Sequence, residues 1–310
     1  MEFVRGMHNL SPRHRGCALT VGNYDGVHRG HQAMIDALKA RAAELRCPAV
    51  VLAFEPSSKE FLDPANAPPR LTRWREKFIR LAANGVDRFV SLRFDEHMRD
   101  MAPDDFVQHL IVEALGARHI VVGPDFRYGS HAVGTCDSLR ALGRHLGFEV
   151  EQIQGIVFDG ARVSSTRVRK ELAQADYDAA ARLLGRRYRM MGRVTHGKKL
   201  GRELGFPTAN LPLKRKRSPV WGVLAVRVHG IEGHALPAVA SLGTRPTVNG
   251  VEPLLEVHVF DFAGDLYGLP IEVEFVQKLR DEEKFASLDA MVAQMQVDAA
   301  QARVALAHSC

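Results

Sequence analysis

The chain has 310 residues, of which 46% are hydrophobic and 25% charged, a balance typical of a globular protein with room for about two domains. The net charge of +6 could attract nucleic acid, an anionic membrane or phosphorylated small molecules, and by itself it does not choose among them. The amino-terminal segment lacks the apolar core of a secretion signal and no run approaches the roughly 18 apolar residues of a membrane span, so we expect a cytoplasmic protein.

The first half alternates short apolar runs with stretches of helical period. Four runs rich in Val, Ile and Leu predict buried strands at 17–22, 49–54, 88–92 and 119–123. Between them, apolar residues spaced by three and four predict helices, one with a stripe from Met34 to Leu45 and one with a stripe from Phe106 to Leu115. This alternation predicts an α/β domain with a doubly wound parallel sheet, whose ligands collect at the carboxyl ends of the strands.

The segment GNYDGVHRGHQ, residues 22 to 32, lies at such a strand end. Gly30 permits close approach of the backbone, and the helix that begins near it offers unpaired N–H groups and a positive dipole end. His28 and His31 add donors to the same concavity, which predicts an anion site. A surface turn that happens to contain two histidines is an alternative. A metal pair is a further one, although no third ligand stands nearby and the pattern is not the His-Glu-x-x-His of helical zinc sites.

The second half changes to a period of two after a helix predicted for DYDAAARLLG, which ends at Gly185. Alternating apolar and polar residues at 224–228, 255–259 and 271–275, punctuated by Gly and Pro, predict an antiparallel barrel. A stripe of apolar residues from Phe285 to Met295 predicts a closing helix packed on that barrel. We therefore expect two domains, residues 1–186 and residues 187–310.

Two motifs carry a resemblance to a known family. GNYDGVHRGH resembles the His-x-Gly-His signature of the nucleotidyltransferase superfamily, in the form carried by bacterial bifunctional riboflavin kinase/FAD synthetases. VSSTRVRKEL, residues 163 to 172, resembles the second nucleotide-binding segment of that family. FEP, PPRLT and VVGPDFRYG, which lie between the two, are similar to further family segments. The resemblance runs from about Gly16 to Arg303.

The sequence departs from the common family pattern in two places. Ser57 and Ser58 stand where a proline-containing stretch is usual, and Leu224 stands where a tyrosine is common. These differences bear on the shape of the flavin pocket and on one contact of the barrel rather than on the type of reaction.

The resemblance implies that the first domain transfers the adenylyl group of ATP to FMN, giving FAD and pyrophosphate. Such a reaction needs positive donors around the α-phosphorus and the leaving pyrophosphate, because charge shifts onto those oxygens in the transition state, and His28 and His31 fit that catalytic role. The other ATP and phosphate ligands implied by the family are Gly22, Asn23, Gly30, Ser164, Ser165, Thr166 and Arg169. The residues that the family implies on the flavin-binding side of this site are Asp125, Phe126 and Arg127. Taken alone, SSTR could be a helix cap, and Asn23 and Asp125 could be turn formers.

The segment GRVTHGKKLGRELGFPTANL, residues 192 to 211, nearly spells a P-loop from Gly192 to Lys198. Lys199 follows where Ser or Thr should hold magnesium, and no long helix follows, so that interpretation fails. The segment instead resembles the phosphate loop of riboflavin kinases. The ATP-binding residues that this implies are Gly197, Gly201, Arg202, Pro207, Thr208 and Asn210. Thr208 and Asn210 supply neutral oxygens suited to Mg²⁺, whose other ligands would be phosphates and water. In isolation, Pro-Thr-Ala-Asn is only a turn.

Glu256 is the base implied by the family for the kinase reaction, in which the ribityl hydroxyl of riboflavin attacks the γ-phosphorus of ATP. In LLEVHVFDF, Glu256 and His258 point to one face of a strand and the neighbouring apolar residues to the other. An ordinary polar strand face is the alternative. SLGTRPT, residues 241 to 247, and KLRDEEKF, residues 278 to 285, resemble family segments that border the flavin, and Arg280 is an implied flavin contact.

The sequence thus predicts a bifunctional enzyme of flavin cofactor biosynthesis that uses riboflavin, FMN, ATP and Mg²⁺, without nucleic acid or membrane partners. Its oligomeric state is not predicted. One alternative is that a single half is active. Another is a basic nucleic-acid-binding protein, suggested by KRKR at 214–217. Nucleic-acid surfaces interleave basic residues with exposed aromatic rings, and here only Trp221 follows, so we interpret KRKR as a solvated loop near phosphate ligands.

Overall fold

The computed structural model describes residues 1–197, 201, 204–247 and 250–308. The chain divides into two compact units: unit 1 contains residues 1–68 and 72–164, and unit 2 contains residues 69–71 and 165–310. The functional boundary between residues 186 and 187 stays a prediction. Among the described residues, none of the helices combines the length and the apolar character needed to cross a membrane. The cytoplasmic location also stays a prediction.

Unit 1 is built on a six-stranded sheet in which all neighbouring strands are parallel. Its strands are β1 Glu2–Arg5, β2 Cys17–Val21, β3 Ala49–Phe54, β4 Arg88–Leu92, β5 Ala117–Val122 and β6 Glu149–Gln152. Their spatial order is β1-β4-β3-β2-β5-β6, which confirms the predicted doubly wound parallel sheet. The four predicted strands are β2 to β5. The short edge strands β1 and β6, which are only partly buried, were not predicted.

Helices cover both faces of this sheet. They are α1 Arg29–Leu45, α2 Ser58–Leu62, α3 Trp74–Ala83, α4 Glu96–Asp100, α5 Pro103–Asp105 and α6 Cys136–Leu146. Side chains of β2 alternate between two apolar clusters, since Cys17, Leu19 and Val21 enter one cluster and Ala18 enters the other, with α1. Burial on both faces explains why the central strands are continuously apolar.

Two details of unit 1 differ from simple expectation. The second predicted helix forms as a π-helix, Phe106–Ala114, with a hydrogen bond of 3.2 Å from the Leu115 N–H to the Leu110 carbonyl. The wider turn still buries the predicted apolar stripe at Phe106, Leu110 and Ile111. Ser57, one of the departures from the family pattern, caps α2, because its hydroxyl accepts a hydrogen bond from the Glu60 N–H.

Unit 2 is built on an antiparallel sheet of six strands. They are β9 Arg189–Arg193, β10 Ala209–Pro212, β11 Gly222–His229, β12 Leu236–Thr247, β13 Gly250–Val259 and β14 Pro270–Arg280. The hairpin strands β7 Val157–Phe158 and β8 Ala161–Arg162 precede them, in unit 1. The spatial order is β10-β13-β12-β11-β14-β9, and the Thr195 N–H donates to the Asn210 carbonyl over 2.9 Å just beyond the end of β9. The two edges therefore approach each other, which confirms the predicted antiparallel barrel.

The described part of unit 2 also contains the helices α7 Ser165–Ala173, α8 Tyr177–Leu184 and α9 Leu288–Ala307. Helix α8 ends at Gly185 as predicted, with that glycine at φ 72°. Helix α9 packs on the sheet as predicted, but the predicted apolar stripe is only partly buried. The helix begins at Leu288 after the cap Ser287, and Leu288 is 56% exposed. The buried side lies further along, at Ala302 and Leu306, which contact a cluster that includes Val223 and Phe260 of the sheet.

The KRKR run is only partly solvated, which corrects the interpretation made from the sequence. Arg215 is 5% exposed, and its guanidinium donates hydrogen bonds to the Arg70 carbonyl and, over 3.4 Å, to the Tyr188 hydroxyl. The Tyr188 hydroxyl in turn donates to the Leu71 carbonyl over 3.0 Å. Arg215 is therefore an anchor of its loop within unit 2, whereas the other three basic residues of the run are exposed.

Candidate functional site

The carboxyl ends of β2 and β5 mark the point where the strand order of unit 1 reverses. From β2 the chain continues through β3 and β4 on one side, and β5 and β6 lie on the other side. Open α/β sheets bind ligands at such switch points. Gly22 and Asn23 follow β2, and Asp125 follows β5, so the structure places these predicted residues at adjoining strand ends. Their contacts with ligands stay predictions.

His28 caps the amino terminus of α1. Its ring Nδ1 accepts a hydrogen bond of 3.3 Å from the backbone N–H of His31, and the residue is 5% exposed. The two histidine rings stack with their centroids 3.7 Å apart and an interplanar angle of 14°. Because Nδ1 is an acceptor in the capping bond, the proton of the neutral His28 ring is carried by Nε2. The donor of the neutral His28 ring is therefore its Nε2–H, at a helix terminus of the kind that binds anions.

His31 lies between the His28 ring and the buried ring of Tyr24, whose centroid is 4.8 Å away. Burial, together with the nearby His28 and Lys77, holds the pKa of His31 well below its usual value. The Nδ1 atom of His31 is buried without a hydrogen-bond partner. The structure thus favours a neutral His31 in the free protein, in contrast to the positive donor expected from the sequence. A bound anion would raise its pKa again, because opposite charge favours the protonated ring.

Gly30 brings the second predicted motif next to the first. An ideal Cβ at Gly30 would lie 3.2 Å from the His28 ring and 3.4 Å from the Val163 carbonyl oxygen, so a side chain there would crowd both. Val163 directly precedes Ser164, the first predicted residue of the second motif. The sequence separates these motifs by more than a hundred residues, and the fold of unit 1 brings their ends together.

The remaining predicted residues of the second motif belong to unit 2. Ser165 and Thr166 are the first two residues of α7, where N–H groups lack intrahelical partners. Arg169 lies one turn further on and donates from Nε to the Pro69 carbonyl over 2.7 Å. The guanidinium of Arg169 is thus fixed by backbone of the PPRLT segment within the same unit. Its contact with phosphate stays a prediction.

A clamp between Asp25 and Thr72 fixes the turn that precedes His28, and the predicted site set did not contain either residue. Asp25 accepts hydrogen bonds from the Thr72 N–H at 2.8 Å and from the Thr72 hydroxyl at 3.1 Å. The same hydroxyl accepts from the Gly26 N–H at 2.9 Å. Thr72 is the last residue of the PPRLT segment. The resemblance of that segment to the family was the sequence signal from which a role for Thr72 could have been predicted.

The predicted flavin side of unit 1 contains an ion pair. Arg162 of β8 donates to the Asp125 carboxylate, and this contact holds the pKa of Asp125 below its usual value. Phe126 packs against the apolar core with its ring 5.7 Å from that of Tyr128, and Arg127 donates to the Phe126 carbonyl over 3.0 Å. Arg162 was not predicted, since nothing in the local sequence of the hairpin distinguishes it from a solvated arginine.

A row of polar side chains crosses three strands of unit 2. Asn210 on β10 is paired with Glu256 on β13, and Glu256 is paired with Ser241 on β12. Directly paired residues of an antiparallel sheet point to the same face. Glu256 is exposed, whereas its neighbours Leu255 and Val257 are fully buried, so the predicted alternation is confirmed. The predicted base thus lies between a candidate metal ligand and a hydroxyl, and its catalytic role stays a prediction.

Two glycines of the phosphate-loop segment leave room for the two predicted metal ligands. An ideal Cβ at Gly197 would lie 2.4 Å from Nδ2 of Asn210, and one at Gly201 would lie 3.4 Å from the hydroxyl of Thr208 and 2.4 Å from the Phe206 carbonyl oxygen. Asn210 is 8% exposed, and Pro207 precedes Thr208 at the start of this turn. The structure therefore brings together all the predicted residues of this loop that it describes. Arg202 lies outside the described residues.

The predicted flavin contact Arg280 is held by α9. It makes a two-bond ion pair with the buried Asp298, with Nε at 2.9 Å from one carboxylate oxygen and Nη2 at 2.7 Å from the other. A nearby carboxylate that was not predicted, Glu282, accepts a hydrogen bond of 2.7 Å from the Ser241 hydroxyl. Glu282 also lies against Gly243, where an ideal Cβ would approach its carboxylate to 2.2 Å. The segment that follows β14 thus reaches the polar row beside Glu256.

Comparisons with known proteins match the two halves of the chain to two families. The sequence model of the FAD synthetase family matches residues 10–167, and that of the riboflavin kinase family matches residues 184–306. A bifunctional riboflavin kinase/FMN adenylyltransferase of Pseudomonas fluorescens is 50% identical over 310 residues, which cover 100% of this chain and 99% of the relative. One of Escherichia coli K12 is 45% identical over 98% of this chain and 97% of the relative.

A solved structure gives a further likeness over the whole chain. The crystal structure of a protein described as a macrolide-efflux protein from Streptococcus pneumoniae superposes with a TM-score of 0.78 at 29% identity, and covers 96% of this chain and 97% of that one. The first half of the chain thus matches the FAD synthetase family and the second half the riboflavin kinase family, as the resemblance of their segments implied, and full-length relatives share both. The chain therefore belongs to the family of bifunctional riboflavin kinase/FMN adenylyltransferases, enzymes of flavin cofactor biosynthesis.

Proposed function

We propose that residues 187–310 transfer the γ-phosphoryl group of ATP to riboflavin, giving FMN and ADP, and that residues 1–186 transfer the adenylyl group of a second ATP to FMN, giving FAD and pyrophosphate. The observation that supports this assignment is the presence of two unlike polar clusters. One consists of two stacked histidine rings at a helix terminus, and the other contains an exposed carboxylate beside neutral oxygen ligands. The first suits anion stabilisation without a base, and the second suits deprotonation of an alcohol.

In the adenylyl transfer, a phosphate oxygen of FMN attacks the α-phosphorus of ATP and the bond to the pyrophosphate breaks. The attacking phosphate is already anionic near neutral pH, so the site needs donors rather than a base. The Nε2–H of His28 and the N–H groups of the first turn of α1 would bind phosphate oxygens on which charge develops. The clamp between Asp25 and Thr72 holds the turn before His28 in place, so these donors need little reorganisation.

In the kinase reaction, the terminal hydroxyl of the ribityl chain attacks the γ-phosphorus of ATP and the bond to ADP breaks. An alcohol has to lose its proton as it attacks, and Glu256 would accept it. A base of this kind typically contributes about 10²- to 10⁴-fold in rate. Strand β13 is paired on both sides, with β10 and with β12, so the backbone that carries Glu256 is fixed.

The Mg²⁺ ion expected for the kinase fits the residues around Asn210. The carbonyl oxygen of the Asn210 side chain and the Thr208 hydroxyl are hard, neutral ligands, which suit an ion that receives its negative ligands from phosphates. Gly197 and Gly201 leave the space beside these two side chains that a Cβ would fill. When bound, the ion would neutralise charge on the ATP phosphates. Thr208 and Asn210 would be its protein ligands.

The experiment that tests this assignment compares the two reactions in the full-length chain. Purified protein is incubated with riboflavin, ATP and Mg²⁺, and the flavins are separated by chromatography. We expect Glu256→Gln to abolish FMN formation while supplied FMN is still converted to FAD. We expect His28→Ala combined with His31→Ala to stop the sequence at FMN.

Glu232→Gln is the matched control, since it removes the same charge from the exposed loop between β11 and β12. It should leave both reactions unchanged. If Glu256→Gln and the histidine double variant each abolished both reactions in folded protein, the assignment of one reaction to each half would be wrong. Tight, steeply salt-dependent binding of DNA or RNA without flavin turnover would instead favour the nucleic-acid alternative.

A further inference from the structure

His258 connects the strand of the predicted base to the loop of the predicted metal ligands. It lies on β13 two residues beyond Glu256, so the two side chains share a face of the strand. Its ring Nδ1 is 2.9 Å from the Pro207 carbonyl oxygen. A carbonyl oxygen only accepts, so the hydrogen of this bond is carried by Nδ1. His258 is therefore a donor to the residue directly before Thr208.

Aromatic contacts fix the direction of this donor. The Phe206 ring stands edge-to-face against the His258 ring, with centroids 5.2 Å apart and an interplanar angle of 62°. The ring of Phe260, the residue directly after β13, also contacts it, with centroids 5.8 Å apart and an angle of 74°. An imidazole in contact with two aromatic rings has little rotational freedom, so the position of its N–H is defined by packing as well as by the hydrogen bond.

The bond to Pro207 begins where the backbone pairing ends. The ladder between β10 and β13 pairs Ala209 with Val257 and Asn210 with Glu256. Strand β10 starts at Ala209, so Pro207 and Thr208 lie before the paired residues. The side chain of His258 contacts the chain just beyond the last rung of the ladder and continues its attachment to β13.

We propose that His258 is a positioning residue of the kinase site: it holds Pro207, and with it the Thr208 hydroxyl, in register with Glu256 on the same strand. The inference rests on the proposed roles of Thr208 and Asn210 in binding the metal and ATP. Loss of the donor would loosen the Thr208 side of the site, while Glu256 and its strand stay in place. The effect should therefore fall mainly on the binding of ATP with Mg²⁺ and only weakly on turnover at saturation.

The test compares two substitutions of similar shape in the full-length chain. Asparagine at this position keeps an N–H close to where Nδ1 stands, and leucine has a similar volume without a donor. We expect His258→Leu to raise the KM for ATP with Mg²⁺ in riboflavin phosphorylation by roughly three- to tenfold, the range expected for one net hydrogen bond, with kcat within about twofold of the unsubstituted chain. His258→Asn should restore the KM to within about twofold.

Circular dichroism and thermal unfolding of the full-length chain report whether the barrel of each variant is folded, and adenylyl transfer from ATP to supplied FMN, measured in the same preparations, should be unchanged. If His258→Leu fails that criterion, His258→Gln replaces it, because glutamine moves the donor by one bond while it keeps a polar side chain. A leucine variant with an unchanged KM would overturn the proposal. So would an asparagine variant as impaired as the leucine variant, because the ring rather than the donor would then be what matters.

Thr208→Ala separates this inference from the site on which it rests. A Thr208→Ala chain with the kinase activity of the unsubstituted protein would show that the proposed metal and ATP site is wrong. A Thr208→Ala chain that loses the activity, together with a His258→Leu chain that does not, would leave that site standing and remove only the positioning role of His258.

Discussion

Replacement of Gly197 by alanine tests the site around Asn210 with a single methyl group. The new Cβ would lie 2.4 Å from Nδ2 and 2.7 Å from Oδ1 of Asn210, about 1 Å closer than ordinary van der Waals contact. The backbone of Asn210 is held by its pairing with Glu256 and by the bond from the Thr195 N–H, so the side chain has to move. Gly197 does not have a positive φ, so alanine fits the backbone at this position.

The size of the effect of Gly197→Ala depends on which atoms have to move. A flexible side-chain end moves rather than a buried backbone, so we expect the free energy of unfolding to fall by less than about 1 kcal/mol. The atom that moves is a proposed metal ligand, and a displacement of about 1 Å in a catalytic site can cost roughly 10²-fold in rate. We therefore expect kcat/KM for riboflavin phosphorylation to fall by about 10²-fold, while FMN is still converted to FAD at the rate of the unsubstituted chain.

The assay follows both flavin products by chromatography over a range of ATP concentrations, and denaturant titration gives the stability. Gly233→Ala is the matched control, because an ideal Cβ at Gly233 meets nothing within 4 Å and its φ is not positive. It should change neither activity. A Gly197→Ala chain with full kinase activity would refute the reasoning. A chain that lost both activities without a loss of stability would also refute it, since the change would then act outside the kinase site.

Three further predictions concern the histidines and the metal. His28→Asn keeps an acceptor for the capping bond at His31 but removes the ring N–H, so initial rates should show adenylyl transfer reduced by roughly 10²-fold with the melting temperature nearly unchanged, whereas His28→Ala should also cost about 1 kcal/mol of stability. The pKa of His31 lies well below 6.5 in the folded chain, so below about pH 6.5 the unfolded chain binds a proton at this ring that the folded chain does not. The contribution of the neutral ring to the free energy of unfolding is therefore complete above about pH 6.5 and is lost as the pH falls below it. Denaturant titration between pH 5 and 8 should show that the free energy of unfolding declines less steeply with falling pH in His31→Gln than in the unsubstituted chain, by up to about 1.4 kcal/mol per pH unit. An identical slope in the two chains would contradict the assignment of a neutral His31. Removal of divalent ions with EDTA should stop FMN formation and added Mg²⁺ should restore it, whereas FMN formation that persists in EDTA would argue against the metal role of Thr208 and Asn210.

Apolar periodicity predicted the central elements of both halves, because burial dictates their composition. The runs at β2 to β5 are apolar since helices cover both sheet faces, and the alternation around Glu256 reflects a strand buried on one side. The edge strands β1 and β6 were missed because short, partly exposed strands need no such pattern. The predicted stripe of α9 missed the fully buried side of the helix because that side includes Asp298, a charged residue buried through its ion pair with Arg280.

Contacts between distant parts of the chain account for what the sequence did not predict at the candidate sites. The histidines, Glu256 and the glycines of the loop stand in local motifs, so a single segment was enough to find them. Asp25 and Thr72 are 47 residues apart, and the Arg162 contact with Asp125 spans 37 residues. Single residues of these types are common on any surface, and only the folded chain shows that they meet. The neutral state of His31 likewise depends on burial, which no local pattern specifies.

The three residues Pro69, Arg70 and Leu71 bear on how the halves of this chain can be separated. They lie far upstream of the barrel in the sequence, yet they group with it, and their carbonyls receive hydrogen bonds from Arg169, Arg215 and Tyr188. A gene fragment that starts at residue 187 would encode the barrel without those three acceptors and without Arg169. Expression of the second half on its own therefore calls for a redesigned fragment, since one cut in the coding sequence cannot deliver everything that this fold packs together.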